Sequence, residues 1–192
     1  MTTTQREEVS CLTGLQHGAH GAVSIWSSPP VTAKEAQDRV KALVGTLLPR
    51  SVQVWLTESE DNELRAASVG LKVISKTAIS QQELVQTRSA LSSLSELLVP
   101  ARTRGAELEM TVGKLFAAFN LYTGDEGKLR AQVMVWVEEL EEYPLWAIRM
   151  AYKWTVRYSK KLPSLSEFLS DVKLALGSQT LKRKRLLEEL YR

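Results

Sequence analysis

From Thr32 onward the apolar positions recur with the period of a helix. Val40, Leu43, Val44 and Leu47 fall on one face, and Pro49 closes that run. Thr32-Ala33-Lys34-Glu35 precedes it as a capping box, in which hydroxyl and carboxylate satisfy each other's orphan amides. Ser51 to Leu56 alternates as a strand would, but is short enough to fit a helix equally well. Thr57-Glu58-Ser59-Glu60 is a second cap candidate, opening a helix through about Ser75. Ser80-Gln81-Gln82-Glu83 is a third, ahead of Leu84, Leu91, Leu94 and Leu98, with Pro100 as the stop. The spacing then sharpens. Leu108, Val112, Leu115, Phe116 and Phe119 form one stripe, and Leu129, Val133, Trp136, Val137 and Leu140 a second. Leu165, Phe168, Leu169, Val172 and Leu176 form a third, behind a fourth capping box at Ser164 to Glu167. Between the last two, Leu145 to Lys160 lies between Pro144 and Pro163 as one helix. Short connections and the absence of a glycine-bearing hairpin signal predict an all-α fold.

The same pattern divides the chain. Residues 1–30 carry no periodic apolar face and are expected as a flexible tail, with Val23 to Trp26 as a local strand or an apolar anchor. Residues 31–100 form a mainly helical region of unassigned role. Ala101-Arg102-Thr103-Arg104-Gly105, bounded by Pro100 and glycine, is expected as a linker. A compact helical domain follows over 106–177, then a basic amphipathic helix over 178–192.

Composition narrows the chemistry. The chain has 192 residues, 25 Lys+Arg against 22 Asp+Glu, and a formal net charge of +3, which permits contact with nucleic acid without demanding it. A single cysteine excludes a disulfide framework within the chain. No apolar run reaches the roughly 20 residues of a membrane helix, so no membrane association is expected. The opening segment MTTTQREEVS lacks the basic flank and apolar stretch of a secretory leader, which makes a cytoplasmic location the default. There is no P-loop and no His-Glu-x-x-His. Cys11, His17 and His20 sit in the tail without a fourth ligand nearby, so no metal site is assigned. The paired carboxylates of Glu138-Glu139-x-Glu141-Glu142 belong to an exposed helix end, without the burial that separates the pKa values of an acid/base pair. Neither an enzyme nor a cofactor is expected.

Two basic features stand out. Arg149, Lys153, Arg157 and Lys160 recur at helical spacing, Lys161 extends the row, and no acidic residue interrupts 143–166. On a helix the row occupies an arc of roughly 80° and a length of about 16 Å. Ala147, Ile148, Ala151, Trp154, Thr155 and Tyr158 take the complementary arc, expected to face the core. Trp146 falls inside the basic arc. Such a row suits a phosphate backbone, with Trp146 as a stacking platform; the competing reading is a solvated helix face. The second feature is Lys182-Arg183-Lys184-Arg185 with Leu186, Leu187 and Leu190, read either as nucleic-acid contact or as an apolar helix face that docks into a partner.

One stretch has a family likeness. Val112, Leu115, Phe116, Phe119 and Tyr122 open it, followed by Val133-x-x-Trp136-x-x-x-Leu140, Glu142-Tyr143-Pro144, Ile148-x-x-Ala151-x-x-x-Thr155 and Lys160-Lys161-Leu162-Pro163-Ser164 into Glu167-Phe168. In this order the block, about residues 109–173, resembles the small helical domain of bacteriophage replicative-helicase loader/inhibitor proteins. The resemblance implies a phage or prophage replication accessory protein. Such a protein has no ATPase motif of its own, binds the hexameric DnaB-type helicase and delivers or regulates it. Single-stranded or duplex DNA is a further expected contact through the row. A phage structural or assembly protein, acting through helical self-association, is the alternative. Neither reading fixes the oligomeric state.

Overall fold

A computed structural model describes residues 32–69, 79–119 and 125–191, the side chains of 65–69 apart. The described residues form eight α-helices and no strand. They are α1 (Ala33–Gly45), α2 (Arg50–Val69), α3 (Gln81–Leu97), α4 (Gly105–Ala118), α5 (Glu126–Leu140), α6 (Leu145–Tyr158), α7 (Leu165–Leu176) and α8 (Thr180–Glu189). A 3-10 turn, Ala101–Arg104, joins α3 to α4. No described helix is long and apolar enough to cross a membrane. The tail over 1–30, including Val23 to Trp26 and the tail cysteine and histidines, lies outside the described residues.

Helix starts follow the local chemistry. Thr32 Oγ1 accepts from the amide of Glu35 at the head of α1. Ser80 and Ser164 make complete capping boxes with Glu83 and Glu167. At α5, where the sequence shows only a polar break, the Asp125 carboxylate accepts from the amide of Lys128 at 3.1 Å. The expected cap at Thr57 does not form. Helix α2 runs unbroken through it, the Thr57 hydroxyl donates back to the Gln53 carbonyl, and Ser59 is buried. Ser51 to Leu56 is therefore helical, and the far end of that run near Ser75 lies outside the described residues. Leu47 is also out of phase. Helix α1 ends at Gly45, leaving Leu47 exposed while Leu48 takes the core position.

The core is one continuous cluster. It runs from Val40, Leu43 and Leu56 through Leu94 and Leu97 to Leu108, Leu115, Trp136, Ile148, Phe168 and Leu187. Helix α6 is its hub, packed against α1, α4 and α7, while α8 lies on α1, α2 and α3. Trp136 is 7% exposed and meets Phe116 edge-on, with ring centroids 5.2 Å apart, and Phe168 at 5.3 Å. Three helices, α4, α5 and α7, thus meet on one indole.

The expected linker is part of this core. Ala101 is 1% exposed and its amide donates to the Tyr143 carbonyl, while the Arg102 amide donates to Glu141. Pro100 and Pro144 pair as an isolated bridge. The turn is fastened to the α5–α6 corner through Pro100, Ala101 and Arg102.

Candidate nucleic-acid interface on α6

Proline starts α6 and a second proline follows it. Pro144, extended at φ −64° and ψ 135°, holds the position before its first turn, and the chain leaves at Ser159 toward Pro163. Ala147, Ile148, Ala151 and Thr155 are buried as the phase predicts, and Met150 joins them. The opposite side carries Lys153 and Arg157, whereas the expected helix to Lys160 stops at Tyr158, so that Lys160 and Lys161 lie past its end, beyond the extended Ser159. Lys153, Arg157, Lys160 and Lys161 are exposed, and no ion pair engages the first three among the described residues. Lys161 lies close enough to Glu167 to help hold that carboxyl below its ordinary range, after the larger effects of the Ser164 amide and hydroxyl.

Arg149 departs from the row. Its guanidinium donates to Glu107 Oε2 at 2.6 Å, and Arg104 binds the same carboxylate through both oxygens. Hydrogen bonds from Arg104 and then Arg149 hold Glu107 below the ordinary glutamate range. Arg149 is thus compensated, and the uncompensated row is Lys153, Arg157 and Lys160.

Two aromatic assignments change. Trp146 is half-buried, and its indole N–H donates to the Leu97 carbonyl at 2.7 Å, satisfying one of the open carbonyls at the end of α3. That bond ties α6 to the first half of the chain and removes Trp146 as a free stacking platform. Tyr158, expected to face the core, is 73% exposed and is the last residue of α6. Trp154 is half-buried on the rim of a groove of about 650 Å³ between α1 and α6. Lys34, Gln37, Met150, Lys153 and Arg157 share its wall. On the α1 side Lys34 pairs with Asp38 at 2.5 Å. Sequence periodicity missed this groove, since its wall needs α1, more than a hundred positions away.

The C-terminal basic helix is not a free docking face. Leu186, Leu187 and Leu190 are buried in the chain's own core, against α1, α2 and α3. The charged side is engaged as well. Arg183 meets Glu60 at 2.6 Å, and Lys182 and Arg185 both meet Glu63, at 3.3 and 3.0 Å. Lys184 pairs with Glu188 within the helix. Burial pushes the Glu63 carboxyl up, but hydrogen bonds from Lys182 and Arg185 outweigh it and leave the group below its ordinary value. The amphipathic pattern is real; its apolar side is covered by α1, α2 and α3 of the same chain, and three of its cations pair with α2.

At the carboxylate-rich end of α5, Glu138 and Glu139 are exposed and Glu142 pairs with Arg102 at 2.6 Å. Comparison with protein-family models, curated proteins and solved structures finds no match to this chain.

Proposed function

We propose that this chain is a phage or prophage DNA-replication accessory protein. It binds the hexameric replicative helicase, loads or regulates it, and touches DNA phosphates through α6. The exposed and uncompensated cations Lys153, Arg157 and Lys160 carry the phosphate half of the reading, because their charges are free to replace the counterions of a polyanion. The helicase half rests on the sequence resemblance over 109–173, which coincides with α4 to α7. The protein acts by docking, without catalysis or cofactor. The leucines of α8, read from the sequence as a face that docks into a partner, are covered by the chain itself and support neither this reading nor the self-association alternative.

The test pairs two assays on the full chain. Anisotropy of labelled DNA at two salt concentrations is compared for the parent and a Lys153→Glu, Arg157→Glu variant, beside capture of the replicative helicase. DNA affinity should fall in the variant, and the salt slope should flatten by about 0.7 per lost contact on a single strand or about 0.9 on duplex. The melt should stay unchanged, because exposed charges contribute little to stability. Parent-like DNA binding by the variant removes the row from the mechanism. Loss of helicase capture without any DNA binding by the parent makes the row a protein-docking face. A parent that captures no helicase removes the helicase half.

A further inference from the structure

We infer that α6 and the adjoining α1–α6 groove bind single-stranded nucleic acid in preference to duplex, with phosphates on Lys153, Arg157 and Lys160 and bases stacked on Trp154 and Tyr158. The inference rests on the phosphate-contact reading above and specifies its ligand.

Within seven residues the helix alternates the two chemistries a single strand offers. Lys153 and Arg157 are exposed cations, and Trp154 and Tyr158 are aromatic rings beside them. A flat ring gives a base face a partner whatever the base, while ammonium and guanidinium groups track the backbone. Trp154 and Arg157 lie three apart and Trp154 and Tyr158 four apart, so these side chains are neighbours on the helix surface. Trp154 shares the groove wall with both Lys153 and Arg157. At about 650 Å³ this groove is in the size range of small-ligand sites, roughly 300–1,000 Å³, and so has room for a base. Tyr158 stands one turn further on, 73% exposed, where burial does not account for an aromatic ring. Lys160 lies two residues on, past the end of the helix.

Geometry disfavours duplex. Four residues of helix advance about 6 Å, well beyond the ~3.4 Å between charges along one strand of a stacked duplex. Bases seated on both rings would have to leave each other's stack. A single strand does this readily, whereas in duplex the base faces are already occupied and neither the half-buried Trp154 nor the exposed Tyr158 finds a base to stack on. An acidic protein segment would satisfy the cations but would leave both rings without a matched surface.

The test uses the full chain with a labelled thymidylate oligomer, a blunt duplex of equal length and a uridylate oligomer. The thymidylate strand should bind more tightly than the duplex and quench intrinsic tryptophan fluorescence. Tyr158→Ala, at an exposed site, should weaken strand binding by roughly 5- to 150-fold, the loss of one base stack. It should leave duplex binding and the salt slope unchanged. Trp154→Phe, which keeps a ring in the half-buried position, should keep binding while reducing the quench. Equal or tighter duplex binding overturns the inference while leaving the phosphate row in place, as does a Tyr158→Ala variant that binds like the parent. Binding of no nucleic acid overturns both. Preference for the uridylate strand supports single-strand binding but overturns DNA as the ligand.

Discussion

The side-chain amide of Gln37 donates to the backbone carbonyl of Ala175 at 2.7 Å, inside the protein and across 138 positions of chain. The bond joins the first described helix to the end of α7, and it is not isolated. Trp146 reaches Leu97, Tyr191 donates to the Leu84 carbonyl, and Arg183 reaches Glu60. The sequence suggests a compact helical domain over 106–177, and bonds of this reach lead to the expectation that it does not fold alone. A fragment of residues 101–192 should melt without a cooperative transition and aggregate, since the faces of α6 and α8 lose α1, α2 and α3. A sharp, reversible melt of that fragment would restore the boundary at Pro100 to Gly105.

Trp136 should be the most damaging position in the core. Its ring touches Phe116 and Phe168 on two other helices, so truncation leaves a cavity where three elements meet. Trp136→Ala should cost about 3–5 kcal/mol, a large share of the roughly 5–15 kcal/mol a domain possesses. Trp136→Phe should lose less, because one ring contact survives. Urea midpoints of the two variants decide the matter.

Acid should loosen α8. The carboxyl of Glu63 is held below its ordinary value in the folded chain, so the unfolded chain binds its proton more readily. The stabilisation is therefore complete above the ordinary glutamate value of 4.5 and is lost as pH falls through the lower folded value. Glu63→Gln should abolish this part of the pH dependence and lower stability at neutral pH, where Lys182 and Arg185 lose their counter-charge. Denaturant midpoints of parent and variant, taken from pH 7 downward, should converge in acid. Parallel curves would show that the cluster does not hold the helix.

Gly177 should tolerate no side chain. It joins α7 to α8 at φ +92°, a conformation that residues with a Cβ rarely adopt, and an added Cβ would lie 2.8 Å from the Thr180 hydroxyl. That hydroxyl already donates to the Leu176 carbonyl inside the turn. Gly177→Ala should cost about 1–3 kcal/mol, the usual cost of holding a residue in such a conformation. The change should appear as a lower denaturant midpoint with an unchanged slope.

Much of this was legible because it is local. The caps at Thr32, Ser80 and Ser164, the buried face of α6 and the core position of Trp136 all follow from spacing and short-range chemistry. What failed depended on distant chain. Leu186, Leu187 and Leu190 announce an apolar face, but spacing does not say that α1, α2 and α3 cover it. Pro100 and Gly105 look like punctuation until Pro100, Ala101 and Arg102 pair with the α5–α6 corner. Trp146 and Tyr158 exchange expectations for the same reason. The indole finds a carbonyl on α3, and the phenol is left exposed at the end of α6. At the candidate site the cations were readable from sequence, whereas the groove beside them was not.

The groove beside Trp154 has one wall on α1 and the other on α6, and these helices meet only in the assembled protein. Whatever occupies it binds the native form and has no equivalent site on the denatured chain. Mass action then couples occupancy to survival of the fold: at a hundredfold excess over its dissociation constant, an occupant adds about 2.7 kcal/mol. A chain bound to its ligand would resist heat and proteolysis throughout the described helices, α8 included, although α8 lies outside the groove wall. Melting temperature thereby becomes a ligand detector that requires no label and no knowledge of which strand or partner is bound.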